Sequence, residues 1–170
     1  EGQPLRDRVA RLGLARPAHL LCSVGAELYL LADDDPPPAA DARAHLDDGT
    51  LTAGRHEWPV APQLLSLLAA ICEAGPAGVT PEELYLAVWD APDYHPLRHR
   101  NAVYVAVNRL RGALEPIAGK EAVRSSATHY TLAPTLRIAL VRAIKRLPHD
   151  ARASVAQARW QAALRAAESS

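Results

Sequence analysis

Residues 64–132 decide the fold, and their centre, residues 80–114, reads TPEELYLAVWDAPDYHPLRHRNAVYVAVNRLRGAL. Thr80 with Glu83 three residues on gives the capping-box pattern of a helix start. A second helix is predicted over 98–115, because apolar residues recur there at helical spacing. These apolar residues are Val103, Val107, Leu110 and Leu114. The centre of the chain is therefore expected to be two consecutive helices separated by a proline-containing loop.

The sequence on either side adds one helix and one hairpin. A helix is predicted from Pro62 through Glu73, and Gly75 followed by proline ends it. After the central helices, residues 121–126 and 128–133 are strand candidates. The predicted order in this region is therefore helix, helix, helix and hairpin.

The N-terminal third favours an antiparallel sheet of about four strands. Residues 19–24 and 27–31 flank a Gly-Ala turn, and residues 50–53 and 56–60 flank a Gly-Arg turn. Between the two hairpins, residues 33–40 contain three aspartates and three prolines, which favours a long surface loop over the alternative of a domain linker.

Both termini are expected to be helical and to lie outside the central domain of residues 19–133. Residues 1–18 contain a short amphipathic helix candidate. Residues 134–170 carry two apolar stripes, one from Leu136 to Leu147 and one after Asp150, which predict two further helices. Because the chain begins at a glutamate, we expect it to be a segment of a longer protein.

Composition excludes several classes of function. The 19 basic and 19 acidic residues give a formal charge of zero, which argues against a chain that coats nucleic acid or membrane by bulk charge. No apolar run is long enough to span a bilayer and no secretory signal is present. Cys22 and Cys72 are predicted to be buried thiols in a cytoplasmic protein.

No arrangement of residues points to catalysis, a metal or a cofactor. His95 and His99 have helical spacing, but Pro96 lies between them and no third ligand completes a site. Ser125 and His129 lack an acid placed to orient the imidazole. An enzyme is therefore not predicted, and no cofactor is expected.

The combined pattern resembles the OmpR/PhoB-type winged-helix effector domain of bacterial transcription regulators. The resemblance covers about residues 19–133 and rests on the leading sheet and on the order and spacing of short motifs. These motifs are Leu64-Leu65-x-x-Leu68, Thr80-x-x-x-Leu84, Val88-Trp89, Val103-x-Val105-x-Val107-x-x-Leu110-Arg111 and Tyr130-x-Leu132. It implies an α+β fold: a winged helix-turn-helix with an N-terminal antiparallel sheet, a three-helix core and a C-terminal hairpin wing, here with extra terminal helices.

The resemblance also implies binding to double-stranded DNA, with helix 98–115 in the major groove and the hairpin along the minor groove. The buried stripe predicts which residues of that helix point outward, namely Arg98, Asn101, Ala102, Val105, Ala106, Asn108, Arg109 and Gly112, with Arg111 on the flank. Base recognition is expected from Asn101, Val105, Asn108, Arg109 and Arg111. Phosphate contacts are expected from Arg98, Arg100, Arg124 and His129, with His99 beside them at the helix entrance. The wing departs from the family, because residues 125–129 contain no glycine.

Two other hypotheses remain open. The apolar residues Ala102, Val105 and Ala106 suit a winged helix that binds a protein partner, since exposed apolar clusters often mark interfaces. The third hypothesis is a homodimer in which a helix at residues 150–168 couples the two copies.

Overall fold

The computed structural model describes residues 19–32 and 35–146. The helices predicted within residues 1–18 and 150–168 lie outside this part of the chain. The described residues divide into two compact units. The larger unit holds residues 23–28 and 38–141, and the smaller holds 19–22, 29–32, 35–37 and 142–146.

In the smaller unit, backbone hydrogen bonds join three short segments. The His19 N–H donates to the Leu31 carbonyl at 2.9 Å, and the His19 carbonyl accepts from the Ile144 N–H at 2.9 Å. A turn is closed where the Ala32 N–H donates to the Asp35 carboxylate at 2.7 Å.

The predicted N-terminal hairpin is present. Its strands are β1 (Leu20–Val24) and β2 (Glu27–Leu31), which are neighbours in the sheet. Gly25 lies in the turn between them at φ 59°, a left-handed conformation that glycine adopts without steric cost.

The sheet of the larger unit has the strand order β8-β3-β4-β5. Its strands are β3 (Ala42–His45), β4 (Thr50–Ala53), β5 (His56–Pro59) and β8 (Ile138–Ala143). Strands β4 and β5 pair antiparallel, which confirms the second predicted hairpin, and β3 pairs antiparallel with β4. Strand β8 pairs parallel to β3, so the sheet is mixed rather than purely antiparallel.

The helix predicted from Leu136 to Leu147 is wrong, because residues 138–143 form strand β8. Ile138, Ala139 and Leu140 are all buried, and such a run fits a strand covered on both faces as well as a helix. Pairing with β3, almost a hundred residues earlier, selects the strand. The sequence did not predict β3 either, because only two small residues, Ala42 and Ala44, alternate inward there.

The three predicted helices are present and are followed by the predicted hairpin. They are α1 (Pro62–Ala74), α2 (Pro81–Trp89) and α3 (Pro96–Ala118), and the hairpin strands are β6 (Val123–Ser125) and β7 (Tyr130–Leu132). Strands β6 and β7 pair antiparallel. Sheet, three helices and hairpin together form a winged helix-turn-helix of the α+β class.

Helix α2 begins with the capping box that the sequence predicts. The Thr80 hydroxyl accepts from the Glu83 N–H at 3.1 Å, and the Glu83 carboxylate accepts from the Thr80 N–H at 2.8 Å. These bonds hold the pKa of the exposed Glu83 carboxyl below its usual value. They satisfy two backbone donors that a helix start would otherwise leave without a partner.

Helix α3 extends beyond its predicted bounds of 98–115. It begins at Pro96, whose fixed φ suits a first helical position. The sequence predicts that Pro116 and Gly119 end the helix; Pro116 lies inside the last turn, and Gly119 at φ 63° is the residue that ends it.

One apolar core joins the sheet of the larger unit to the three helices. Its largest fully buried side chains include Leu51 from β4, Leu68 from α1, Leu84 from α2 and Leu110 from α3. Trp58 on β5 packs at its border and donates its indole N–H to the Ala113 carbonyl of α3 at 3.1 Å. The side of α3 that is turned to the sheet and to α1 and α2 is therefore fixed.

The segment before α2 is pinned to the wing at Val79, which exchanges two backbone hydrogen bonds with Tyr130, at 2.9 and 2.8 Å. Gly78 makes this contact possible. Its φ is +77°, and a Cβ added there would lie 2.9 Å from the Thr131 methyl and 3.0 Å from the Tyr130 carbonyl oxygen.

We predict that Gly78→Ala destabilises the fold by about 3 kcal/mol, since it combines left-handed strain with a backbone clash. The matched control is Gly54→Ala, at φ +59° with no atom within 4 Å of the new Cβ, which should cost only about 1 kcal/mol. Urea unfolding of both variants measures the difference. Equal losses would contradict the close contact between Gly78 and the wing.

Candidate nucleic-acid interface

The outer face of α3 is defined by what its inner face buries. Val103, Val107, Leu110 and Leu114 are at most 1% exposed, as the apolar spacing predicts. At 100° per residue, the opposite side of the helix points to solvent. Because the inner face is buried, the polar residues on the opposite side of α3 all point to solvent.

A central stripe runs along the middle of this outer face. We use the name for Leu97, Asn101, Val105 and Asn108, whose side chains point within about 45° of one direction. All four are exposed, Leu97 by 90% and Val105 by 39%. Tyr104, 55% exposed, borders the stripe. The middle of the face therefore offers two amides and two apolar side chains.

Arginines occupy both margins of the stripe. Arg98 and Arg109 lie on one side, and Arg100 and Arg111 on the other, each about 60–100° from the centre. Among the described residues, no carboxylate pairs with Arg98, Arg100 or Arg109. Glu115 is the only acidic residue on the helix.

Positive charge is concentrated in α3 and the wing, although the whole chain is neutral. Residues 96–133 contain six basic and two acidic residues, a formal charge of +4. The wing contributes Arg124, which is exposed on β6. A local basic surface therefore exists without a basic composition.

Arg111 ties α3 to the wing and is not a free outward charge. Its Nε donates to the Val123 carbonyl at 3.0 Å and one Nη to the Ser125 hydroxyl at 3.3 Å. The other Nη donates to the Asn108 side-chain oxygen at 2.9 Å. Three acceptors thus engage the guanidinium within the protein.

Hydroxyl groups and backbone groups close the wing turn. The His129 N–H donates to the Ser126 hydroxyl at 3.0 Å, and the Ser126 N–H donates to the His129 carbonyl at 2.8 Å. The Thr128 hydroxyl lies 2.7 Å from His129 Nδ1. His129 is half-buried, so only part of its side chain faces solvent.

Tyr130 lies at the junction between the wing and α3. Burial raises the pKa of its phenol, while the positive charges of Arg111 and Arg100 act in the opposite direction. The phenol is therefore protonated at neutral pH and can donate a hydrogen bond.

A ring cluster fixes the entrance to α3. Tyr85 stacks on Trp89 at 5.1 Å and on His99 at 4.3 Å, and Tyr94 packs against Tyr85 and His99. His99 Nδ1 accepts from the His95 N–H at 2.9 Å. His99 is thus held by rings and backbone, although the sequence placed it with the phosphate contacts. The i, i+4 pairs Tyr85/Trp89 and His95/His99 are the signal that could have revealed the cluster.

The structure brings most of the predicted residues onto one surface. Arg98, Asn101, Val105, Asn108 and Arg109 share the outer face of α3, with Arg100 and Arg111 on the margin beside the wing. Ala106 is a correction, since it is 4% exposed and belongs to the core, and Ala102 is only half-exposed. The apolar element of the face is instead Leu97 with Val105, and the sequence did not single out Leu97.

The remaining chemistry is sparse in residues 19–32 and 35–146. They hold no group of three or more His, Cys, Asp or Glu that could bind a metal ion, and none of their helices has the length and hydropathy to cross a membrane.

Cys72 lines a cavity of about 470 Å³. Burial and the charge of Glu73 raise the pKa of this thiol to about 12, so it is protonated at neutral pH and is a weak nucleophile.

No protein-family model and no curated protein matches the chain. Solved structures do match. The DNA-binding domain of E. coli CadC is similar at a TM-score of 0.46 and 14% identity, covering 62% of this chain and 97% of that one. The C-terminal domain of the lantibiotic response regulator NsrR, a nisin resistance regulator, gives a TM-score of 0.43 and 20% identity, covering 52% and 89%. At these low scores, the fold assignment rests on the chain's own element order and contacts.

We predict that Arg111→Ala destabilises the protein by about 1–2 kcal/mol, because it removes two hydrogen bonds from α3 to the wing and one to Asn108 within α3. Arg109→Ala removes an arginine from the same helix but no intramolecular bond, and should change stability by less than about 0.5 kcal/mol. The measurement is the midpoint of urea unfolding for both variants. If Arg109→Ala proved the more damaging, Arg111 would not be the link to the wing.

Proposed function

We propose that this chain is a DNA-binding winged-helix module of a transcription regulator. Helix α3 enters the major groove and the β6–β7 wing lies on the adjacent minor groove. The observation that carries the proposal is the outer face of α3, where exposed amides lie between arginines that no described carboxylate neutralises. Amides and arginines are the side chains that pair with base edges and phosphates.

The dimensions of α3 suit this role. A helix of 23 residues is about 35 Å long, and an α-helix with its side chains fits the width of the B-DNA major groove. The N-terminal turn of α3 contains no acidic residue. The positive end of the helix dipole, with Arg98 and Arg100 beside it, favours a phosphate oxygen at the helix start.

The neutral composition does not oppose this proposal. Binding depends on the charge close to the phosphates, because salt screens charges beyond about 10 Å. The +4 charge of residues 96–133 lies on the elements proposed to meet DNA. Arg98, Arg100 and Arg124 are proposed to hold phosphates, as the sequence predicts, and Arg109 at the margin of the stripe is proposed to do the same.

A second candidate function is docking of a protein partner on the same face. Leu97 at 90% exposure and Tyr104 at 55% favour it, since large apolar side chains are rarely this exposed on a surface that meets only water. Val105→Glu should then abolish partner binding or self-association. A light-scattering mass that exceeds one chain, and falls to one chain in Leu97→Glu, would support self-association over DNA binding.

We predict that the chain binds duplex DNA with an affinity that falls as salt rises. The slope of log K against log salt should be about −0.9 for each phosphate contact, so Arg98→Ala and Arg109→Ala should each make it less negative by about 1. Arg55→Ala, an exposed arginine on the β4–β5 turn, is the control and should leave the slope unchanged. Fluorescence anisotropy with a labelled duplex pool at several salt concentrations measures this. Salt-independent binding, or none to any duplex, would contradict the proposal.

A further inference from the structure

The central stripe of α3 has a chemistry of its own within the proposed interface. Its four side chains, Leu97, Asn101, Val105 and Asn108, comprise two amides and two branched apolar groups. None of them is charged, and the arginines of the helix are turned toward the margins. We propose that this stripe reads A·T base pairs, while the marginal arginines hold phosphates. This inference rests on the proposed function and specifies its target.

Each side chain of the stripe matches a feature of an A·T pair. An asparagine amide bonds adenine at two points, accepting from N6 and donating to N7. Apolar side chains contact the thymine C5-methyl, which is the one apolar group that base pairs show in the major groove. Leu97 and Val105 are exposed enough to make such contacts.

No side chain of the stripe is of the type that usually binds guanine. Its usual partner is an arginine that donates two bonds to O6 and N7. Val123, Ser125 and Asn108 engage three of the five N–H donors of Arg111 and hold its guanidinium at the margin of the stripe, beside the wing. Arg109 lies about 80° from the centre of the stripe, beside the groove wall rather than over the bases.

The contact between Arg111 and Asn108 sets the direction of the Asn108 amide. A guanidinium only donates, so the Asn108 atom that faces Arg111 at 2.9 Å must be the oxygen. The amide nitrogen is then turned away from Arg111, and the oxygen keeps a second lone pair for an adenine N6–H. Arg111 is thus a positioning residue, which is held by the wing and acts through Asn108. The Asn101 amide makes no hydrogen bond within the described residues.

The first experiment selects binding sites from a library of random 20-base-pair duplexes with the full chain. We expect the enriched sites to share a core of A·T pairs. Replacing the thymines of that core by deoxyuridine removes only the methyl groups, and should weaken binding about fourfold for each contacted methyl. An enriched G·C core, or affinity unchanged by deoxyuridine, would overturn the inference.

The second experiment combines protein variants with modified bases to identify which asparagine contacts which adenine. Replacing a core adenine by 7-deazaadenine should weaken wild-type binding about tenfold, and should have no further effect in the Asn108→Ala or Asn101→Ala variant that reads it. Arg111→Lys keeps the charge but not the geometry. It should lose the 7-deazaadenine effect at the Asn108 position while the salt slope stays the same. A deazaadenine effect that persists in both asparagine variants and in Arg111→Lys would exclude these roles.

Two controls distinguish a failure of A·T recognition from a failure of the proposed DNA binding. Arg109→Ala should weaken binding equally to A·T-rich and G·C-rich duplexes, because a phosphate contact carries no sequence information. Stronger loss on G·C-rich sites would assign Arg109 to guanine and contradict the inference, although DNA binding would stand. If no duplex in the library bound in a salt-dependent way, the proposed function itself would fail. Since Leu97, Asn101 and Val105 are exposed, their variants should unfold at the wild-type urea concentration. Asn108→Ala loses the bond to Arg111 and should unfold at a slightly lower concentration.

Discussion

Burial of the inner stripe of α3 is the constraint on which the described site depends. Val103, Val107, Leu110 and Leu114 each contribute about 2 kcal/mol by leaving water, and together they fix the rotation of the helix about its axis. Rotation by one residue would move an arginine or an asparagine into the core, at a large cost for an unpaired polar group. The outward residues are therefore specified by the apolar ones.

The wing is positioned from two sides. Backbone hydrogen bonds join Tyr130 to Val79 just before α2, and the Arg111 guanidinium joins α3 to the β6 strand. Gly78 allows the first approach because no side chain stands between the two backbones. Since α2, α3 and the wing are linked in this way, the outer face of α3 and the exposed Arg124 are held as one surface. Such preorganisation lowers the ordering cost of any binding at this surface.

The elements that local sequence specifies were predictable. The capping box at Thr80, the helical spacing of α3 and the turn glycines are short-range signals, and the structure confirms them. Strand β8 was missed because its partner β3 is distant in sequence, and a buried apolar run such as 138–140 fits either a helix or a strand until that partner is known. Strand β3 was missed because only the small residues Ala42 and Ala44 alternate inward there.

In the candidate site too, some features follow from the local sequence and others do not. The direction of Asn101, Val105, Asn108 and Arg109 follows from periodicity. The engagement of Arg111 with the wing, the stacking of His99 on Tyr85 and the burial of Ala106 depend on tertiary contacts that no local pattern contains.

Contact between the outer face of α3 and DNA is tested most directly by nuclear magnetic resonance of the ¹⁵N-labelled chain during titration with a duplex. We expect the side-chain amide signals of Asn101 and Asn108 and the backbone signals of residues 97–109 to shift, while those of β4 and β5 do not. Shifts confined to the sheet, or an unperturbed α3 at saturating duplex, would contradict it.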